Sequence, residues 1–153
     1  MSVEAELGAI SGIEGEAKAV STDGDDSLFT DPEGAAEFLR RSGADALAVS
    51  VGTAHGVYTS APEIKIELIR KIAGLCESPL VLHGATGVPD EAIRQAVAAG
   101  IRKINYFSDF LVQAMEFIRG FSEQGNDYLA FRDELMEIWK GEAKKLISLY
   151  RGS

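Results

Sequence analysis

Four short apolar runs, Val3 to Ile10, Ala46 to Val51, Pro79 to Leu82 and Ile101 to Tyr106, alternate with longer stretches of helical period. This alternation constrains the fold more than any other feature, because parallel strands need crossover connections and successive βα units build one sheet. The middle two runs are almost free of polar residues, the pattern of strands covered on both faces. Four parallel strands leave two open edges, so the sheet is incomplete unless the chain is doubly wound or paired with something.

The helical stretches carry their own punctuation. Asp31-Pro32-Glu33 offers a capping side chain, a proline suited to the first turn and an early acid, and Gly43 closes that helix. Pro62 is expected to open the next helix, with Ile64, Leu68, Ile69 and Ile72 as its apolar stripe. Pro89-Asp90-Glu91 opens another, ended by Gly100. From about Ser108 the pattern is helical only: Phe110, Leu111, Ala114, Phe117 and Ile118 recur in a helix following Asp109, and a turn falls near Gly125-Asn126-Asp127. A final helix carries Leu129, Leu135, Ile138, Trp139, Leu146 and Leu149, a stripe broad enough to dock on the chain's own wall, the preferred reading, or on a partner subunit. Residues 12–27, rich in acids and glycine, fit no regular element. They read as a long polar loop, either a mobile lid or a surface excursion. The chain is thus expected to form a single domain over 1–153, with 108–153 as a helical tail.

Composition narrows the function classes. With 15 Lys and Arg against 24 Asp and Glu, the formal charge of -9 opposes nonspecific binding to nucleic acid or an anionic membrane. A phosphorylated small molecule remains compatible, since backbone amides and helix amino termini hold such ligands locally. Cys76 is the sole cysteine, which forbids an internal disulfide and fits a reducing compartment; it is expected to fill core space. Met1 to Glu6 contains no basic segment leading into an apolar one, and no apolar run reaches membrane-spanning length, so a cytoplasmic protein is expected.

Both histidines of the chain fall just after an apolar run and just before a glycine, in Val49-Ser50-Val51-Gly52-Thr53-Ala54-His55-Gly56 and Leu80-Val81-Leu82-His83-Gly84-Ala85-Thr86-Gly87. The carboxyl ends of parallel strands line active sites, which would turn both imidazoles toward one cavity. Either histidine alone is best read as a strand-end residue satisfied by hydrogen bonds. The matched pair favours a shared zinc ion. Glu6 closes the first apolar run and Glu14 lies in the loop beyond; each is placed to bind metal or move protons, or to be a solvated acid, a reading stronger for Glu14. Gly84-Ala85-Thr86-Gly87 and the stretch from Asn105 to Ser108 each lead into a helix and have the small residues of an anion cradle, although glycine-rich turns alone are weak signals.

Val3-Glu4-Ala5-Glu6-Leu7-Gly8, Gly52-Thr53-Ala54-His55-Gly56 and Leu82-His83-Gly84-Ala85-Thr86-Gly87, in that order, resemble the class II fructose- and tagatose-bisphosphate aldolases. Thr30-Asp31-Pro32-Glu33 and Lys103-Ile104-Asn105 extend the similarity to about Phe110. The resemblance implies the carboxyl-terminal half of a (β/α)8 TIM-type barrel, about four βα units followed by helices. It implies His55 and His83 as zinc ligands, Glu6 as an alternative or second-site ligand, and Glu14 as the loop acid. It places phosphate on Gly56, Gly84, Thr86, Asn105 and Ser108, and allows a monovalent cation, Na+ or K+, as a further cofactor. The implied reaction is reversible cleavage of fructose- or tagatose-1,6-bisphosphate to dihydroxyacetone phosphate and glyceraldehyde 3-phosphate, a glycolytic type of chemistry. Zinc would polarise the ketose carbonyl and stabilise the enediolate.

Several positions depart from the family. Thr86 and Ser108 stand where serine and threonine are usual, each swap keeping a hydroxyl. Phe107 is neither the acid frequent in fructose-selective members nor the small residue of tagatose-type members, and Thr59 replaces a frequent basic residue. No residue matches the third zinc histidine or the proton-transferring aspartate of the family's earlier strands. The chain alone is therefore expected to lack aldolase activity and to need an amino-terminal half-barrel chain or self-association into an oligomer. The competing readings are a noncatalytic metal- or phosphate-binding half barrel that self-associates, and a metal-free phosphosugar enzyme using His55 or His83 as acid or base.

Overall fold

The computed structural model describes residues 1–10, 19–20, 28–121 and 127–151. Strands β1 (Glu4–Leu7), β3 (Ala46–Val49), β5 (Leu80–Leu82) and β6 (Ile101–Ile104) form one parallel sheet in the spatial order β1-β3-β5-β6. Helices α1 (Pro32–Ser42), α2 (Ile66–Leu75) and α3 (Asp90–Ala99) make the crossovers. The four expected runs are the four strands of this sheet, each shorter than its run because the flanking residues turn out into loops. A second, two-stranded parallel ladder joins β2 (Ala19–Val20) to β4 (Val57–Tyr58). The expectation that residues 12–27 hold no regular element is thereby corrected at Ala19 and Val20.

Capping residues act where the sequence placed them. Asp31 Oδ2 accepts the Gly34 amide at 2.7 Å, Pro32 occupies the first turn, and Gly43 ends α1 in the left-handed region at φ 67°. The second helix does not begin at Pro62. Its first residue is Ile66, because the Lys65 amide is taken by the Val51 carbonyl at 2.9 Å, which ties the preceding segment to the end of β3. Ile64, expected on the helical stripe, is instead buried in that segment.

Leu47, Val49, Leu80, Leu82 and Ile101 point from the sheet into a core shared with Ile69, Ile72, Ile93 and Ala96 of the helices. The opposite face follows from alternation. Register aligns Glu6 with Ala48, Ala48 with Val81, and Val81 with Lys103, so one row crosses all four strands with charged residues on the edges. Lys103 joins that row through a bulge. Leu80 pairs with Ile101 but Val81 pairs with Lys103, leaving Arg102 as the extra residue. In an unbroken ladder Lys103 would face the helices; the bulge turns it to the other side. Arg102 itself is held by the Val97 and Ile101 carbonyls, both 2.9 Å from Nη1.

Helix α4 (Ser108–Phe121) starts at Ser108, one residue before Asp109, and α5 (Tyr128–Tyr150) is capped by Asp127, which accepts from the Leu129 amide at 2.9 Å. The expected stripe on α5 divides. Leu146 and Leu149 are buried, and Trp139 Nε1 donates to the Phe110 carbonyl at 3.1 Å, whereas Leu129 and Ile138 are exposed, 57% and 37%. Intramolecular packing therefore accounts for the carboxyl-terminal part of the stripe. Cys76 is half-buried against the core at the end of α2, and burial raises its thiol pKa. Among the described residues, no helix is long and apolar enough to cross a membrane.

Candidate metal and phosphate site

His83 follows β5 directly and continues the alternation of Val81, which sends its ring to the face carrying Glu4, Glu6 and Lys103. His55 lies in the loop beyond β3, the neighbouring strand, and the two rings stack with centroids 5.7 Å apart and planes inclined by 29°. His83 Nε2 lies 3.1 Å from Glu4 Oε1 in hydrogen-bonding geometry. Its Nδ1 lies 3.0 Å from Glu6 Oε2, a close approach that is not aligned as a hydrogen bond. Burial alone would raise the Glu4 carboxyl pKa, but hydrogen bonds from Lys103 and His83 outweigh it and hold that pKa below its ordinary value.

Three buried side-chain polar atoms among the described residues have no hydrogen-bond partner: Thr53 Oγ1, His55 Nε2 and His83 Nδ1. All three belong to the two strand-end loops. Buried polar groups are normally satisfied, and leaving one unsatisfied costs about 1–3 kcal/mol. Imidazole nitrogens without hydrogen-bond partners on adjacent loops, one of them 3.0 Å from the Glu6 carboxylate, are donors of the kind that zinc takes, so the residues present fit a zinc ion. No three His, Cys, Asp or Glu residues group as a complete set among the described residues.

Two contacts that the sequence did not reveal hold the loops in place. Tyr58 Oη accepts the Ala54 amide at 2.7 Å, and its single proton is shared between the Gly84 carbonyl at 2.7 Å and the Ala54 carbonyl at 2.9 Å. One phenol thus joins the loop of His55 to the residue after His83. Burial raises its pKa against the opposing Ala54 backbone bond, so the hydroxyl keeps its proton. Tyr58→Phe is expected to cost about 1–3 kcal/mol, the penalty of stranding buried backbone groups. The check is a lower urea midpoint at unchanged m-value; an unchanged midpoint would show that Tyr58 does not tie the loops.

The second contact is close backbone packing. A Cβ on Gly84, whose φ is +65°, would stand 2.2 Å from the Ala54 carbonyl oxygen. That space exists only for glycine, which explains the residue after His83 better than a turn requirement alone.

His55, Gly56, Gly84, Thr86, Asn105, Phe107 and Ser108 line one small recess. The five residues expected to bind phosphate therefore converge, and one candidate metal ligand shares their recess. Thr86 and Ser108 are buried, and Ser108 is the first residue of α4, where free amides and the helix dipole favour an anion. Asn105 Oδ1 accepts from Lys103 Nζ at 2.9 Å, leaving its amide donors for a ligand. Phe107 is 47% exposed at the rim. Glu14 lies outside the described residues. A roomier cleft, about 670 Å³, lies elsewhere: it is lined by Leu7, Phe29, Thr30 and Phe38 beside β1 and α1 and contains neither histidine.

A sequence model described as fructose-bisphosphate aldolase class-II matches residues 1–152. Among solved structures, the YdjI aldolase of Escherichia coli K12 is 35% identical with a TM-score of 0.80, the match covering 98% of this chain and 49% of that one. A Coccidioides immitis protein assigned as a fructose-1,6-biphosphate aldolase has the same fold at a TM-score of 0.82 and 23% identity, over 99% of this chain and 53% of its own. Fructose-bisphosphate aldolase from Campylobacter jejuni is 25% identical with a TM-score of 0.58, over 80% and 38%. The chain thus spans about half the length of the first two, as four βα units span half of an eight-stranded barrel.

Proposed function

The chain belongs to the class II fructose-bisphosphate aldolase family, and on that premise we propose that it supplies the zinc- and phosphate-binding half of a ketose-bisphosphate aldolase barrel. One observation carries this reading: His55 Nε2 and His83 Nδ1 are buried without hydrogen-bond partners on neighbouring strand ends, beside a recess lined by amides and hydroxyls. When bound there, zinc supplies electrophilic polarisation of the ketose carbonyl of fructose- or tagatose-1,6-bisphosphate.

The remaining chemistry belongs to the chain. Gly56 and Gly84 present backbone to one substrate phosphate, and the Thr86 and Ser108 hydroxyls with the Asn105 amide fix its orientation. Holding the phosphate next to His55 sets the distance from phosphate to carbonyl, so that the reacting carbon is placed by binding. Glu6, beside His83 Nδ1, offers a carboxylate that can replace or supplement an imidazole as ligand. Glu14 is proposed as the loop acid that moves a proton on the substrate. A third imidazole ligand and a second proton-transfer group have to come from the other half of the barrel, since catalytic zinc normally has three protein ligands.

The test is aldol cleavage by the purified chain, alone and assembled with a first-half barrel taken from the YdjI aldolase or fused in cis. No turnover is expected from the chain alone. Turnover is expected from the assembly, abolished by chelator and restored by zinc. Turnover by the chain alone, or turnover indifferent to chelator, would refute the reading. The open edges at β1 and β6 and the cleft along β1 and α1 favour a second reading, a self-associating half barrel that binds metal or phosphate without catalysis. It predicts a zinc-binding homo-oligomer that stays inactive with any first half.

A further inference from the structure

Glu4 is neither a proposed metal ligand nor a phosphate contact, yet it is the residue through which the two edge strands meet. Its carboxylate divides between two nitrogen groups: Oε1 lies 3.1 Å from His83 Nε2, and Oε2 accepts from Lys103 Nζ at 2.7 Å. Glu4 is on β1 and Lys103 on β6, with β3 and β5 between them, so the pair closes over the sheet face opposite the helices. It can do so only because the bulge at Arg102 turns Lys103 to that face. Glu4 also stands two residues before Glu6, one side-chain level deeper in the sheet, beneath the row that includes Glu6.

A neutral imidazole carries one proton. The nitrogen with an aligned acceptor keeps it, and the other presents a lone pair. For His83 the aligned acceptor is Glu4, at Nε2, while Nδ1 is buried without a hydrogen-bond partner on the side of Glu6 and His55. We propose that Glu4, anchored by Lys103, is a positioning residue that accepts the Nε2–H of His83 and thereby fixes its ring and tautomer with Nδ1 free to face a divalent cation. This rests on the reading of His83 as a ligand. It adds the partner that orients the ligand, the role that carboxylates play behind metal-bound histidines. Lys103 in turn holds the carboxylate, so the orienting group does not swing into the metal position itself.

The test separates the two claims. Nitrogen NMR of the 15N-labelled chain without metal, at a pH where imidazoles are neutral, reads the His83 tautomer; a competition titration reads zinc affinity. In the native chain His83 is expected as the Nε2–H form. Glu4→Leu, which keeps bulk but no acceptor, is expected to shift His83 toward Nδ1–H and to weaken zinc binding by about 10- to 100-fold. Glu4→Gln retains an oxygen acceptor and is expected to keep the native tautomer, a rescue that a merely structural role would not produce. Lys103→Met, which removes only the anchor, is expected to give mixed tautomers and covers the case in which Glu4→Leu fails to fold. Native tautomer in Glu4→Leu, or in Lys103→Met if only that variant folds, would overturn the proposal. Zinc affinity unchanged by His83→Gln would instead overturn the ligand reading and leave the tautomer result standing.

Discussion

Replacing His83 with alanine in the assembled barrel is expected to lower aldol cleavage on the order of 10³-fold, and zinc is not expected to restore it. His55→Ala should match it. The magnitude follows from the several kcal/mol of charge stabilisation that a bound metal supplies, at about 1.4 kcal/mol per tenfold in rate. The two variants should lose activity to a similar degree, and the double variant should be little worse than either, because residues that act as one unit are not additive. Fold retention is checked separately by the urea midpoint. Zinc-restorable turnover within about tenfold of the parent in either single variant would show that its imidazole is not a metal ligand.

Gly84→Ala is expected to be among the most damaging substitutions at the described glycines. The new methyl carbon would lie 2.2 Å from the Ala54 carbonyl oxygen at a backbone φ of +65°, and the obstacle is backbone, which cannot swing aside. Left-handed backbone costs an alanine about 1–2 kcal/mol, and relieving the overlap brings the total to about 3 kcal/mol or more. For a chain of this size that lowers the melting temperature by roughly 6–12 °C. Gly43 provides the control: its φ is +67°, but nothing lies within 4 Å of an added methyl. Gly43→Ala should therefore cost only about 1 kcal/mol. Because Ala54 precedes His55, Gly84→Ala should also weaken zinc binding, which Gly43→Ala should not. Equal melting temperatures for the two variants would contradict the close approach of the His55 and His83 loops.

The parts of this fold legible in the sequence are those set by local chemistry. Apolar runs such as Leu80-Val81-Leu82 announce buried strands, and Asp31, Gly43 and Gly100 mark helix ends through their own side chains or lack of one. The histidines could be placed at strand ends for the same reason. What stayed hidden depends on partners distant in the chain. Pro62 has the right chemistry to start a helix, and only the Val51 carbonyl, which captures the Lys65 amide, delays it to Ile66. Tyr58 reads as an ordinary aromatic until it is found between Ala54 and Gly84. Lys103 would be assigned to the helix side by simple alternation, and the bulge at Arg102 reverses that. The residues proposed to bind phosphate were identifiable as glycines, hydroxyls and an amide before helices, but their convergence around His55 is a matter of register between strands.

The central claim is that His55 and His83 hold one zinc ion together. X-ray absorption at the zinc edge, on the chain loaded with less than one equivalent of zinc, reads that claim without depending on catalysis, because imidazole ligands give a countable outer-shell scattering pattern. Two imidazoles per zinc are expected for the native chain, and one for either His55→Gln or His83→Gln. A spectrum with fewer than two imidazoles in the native chain, or one that neither substitution changes, would contradict the account.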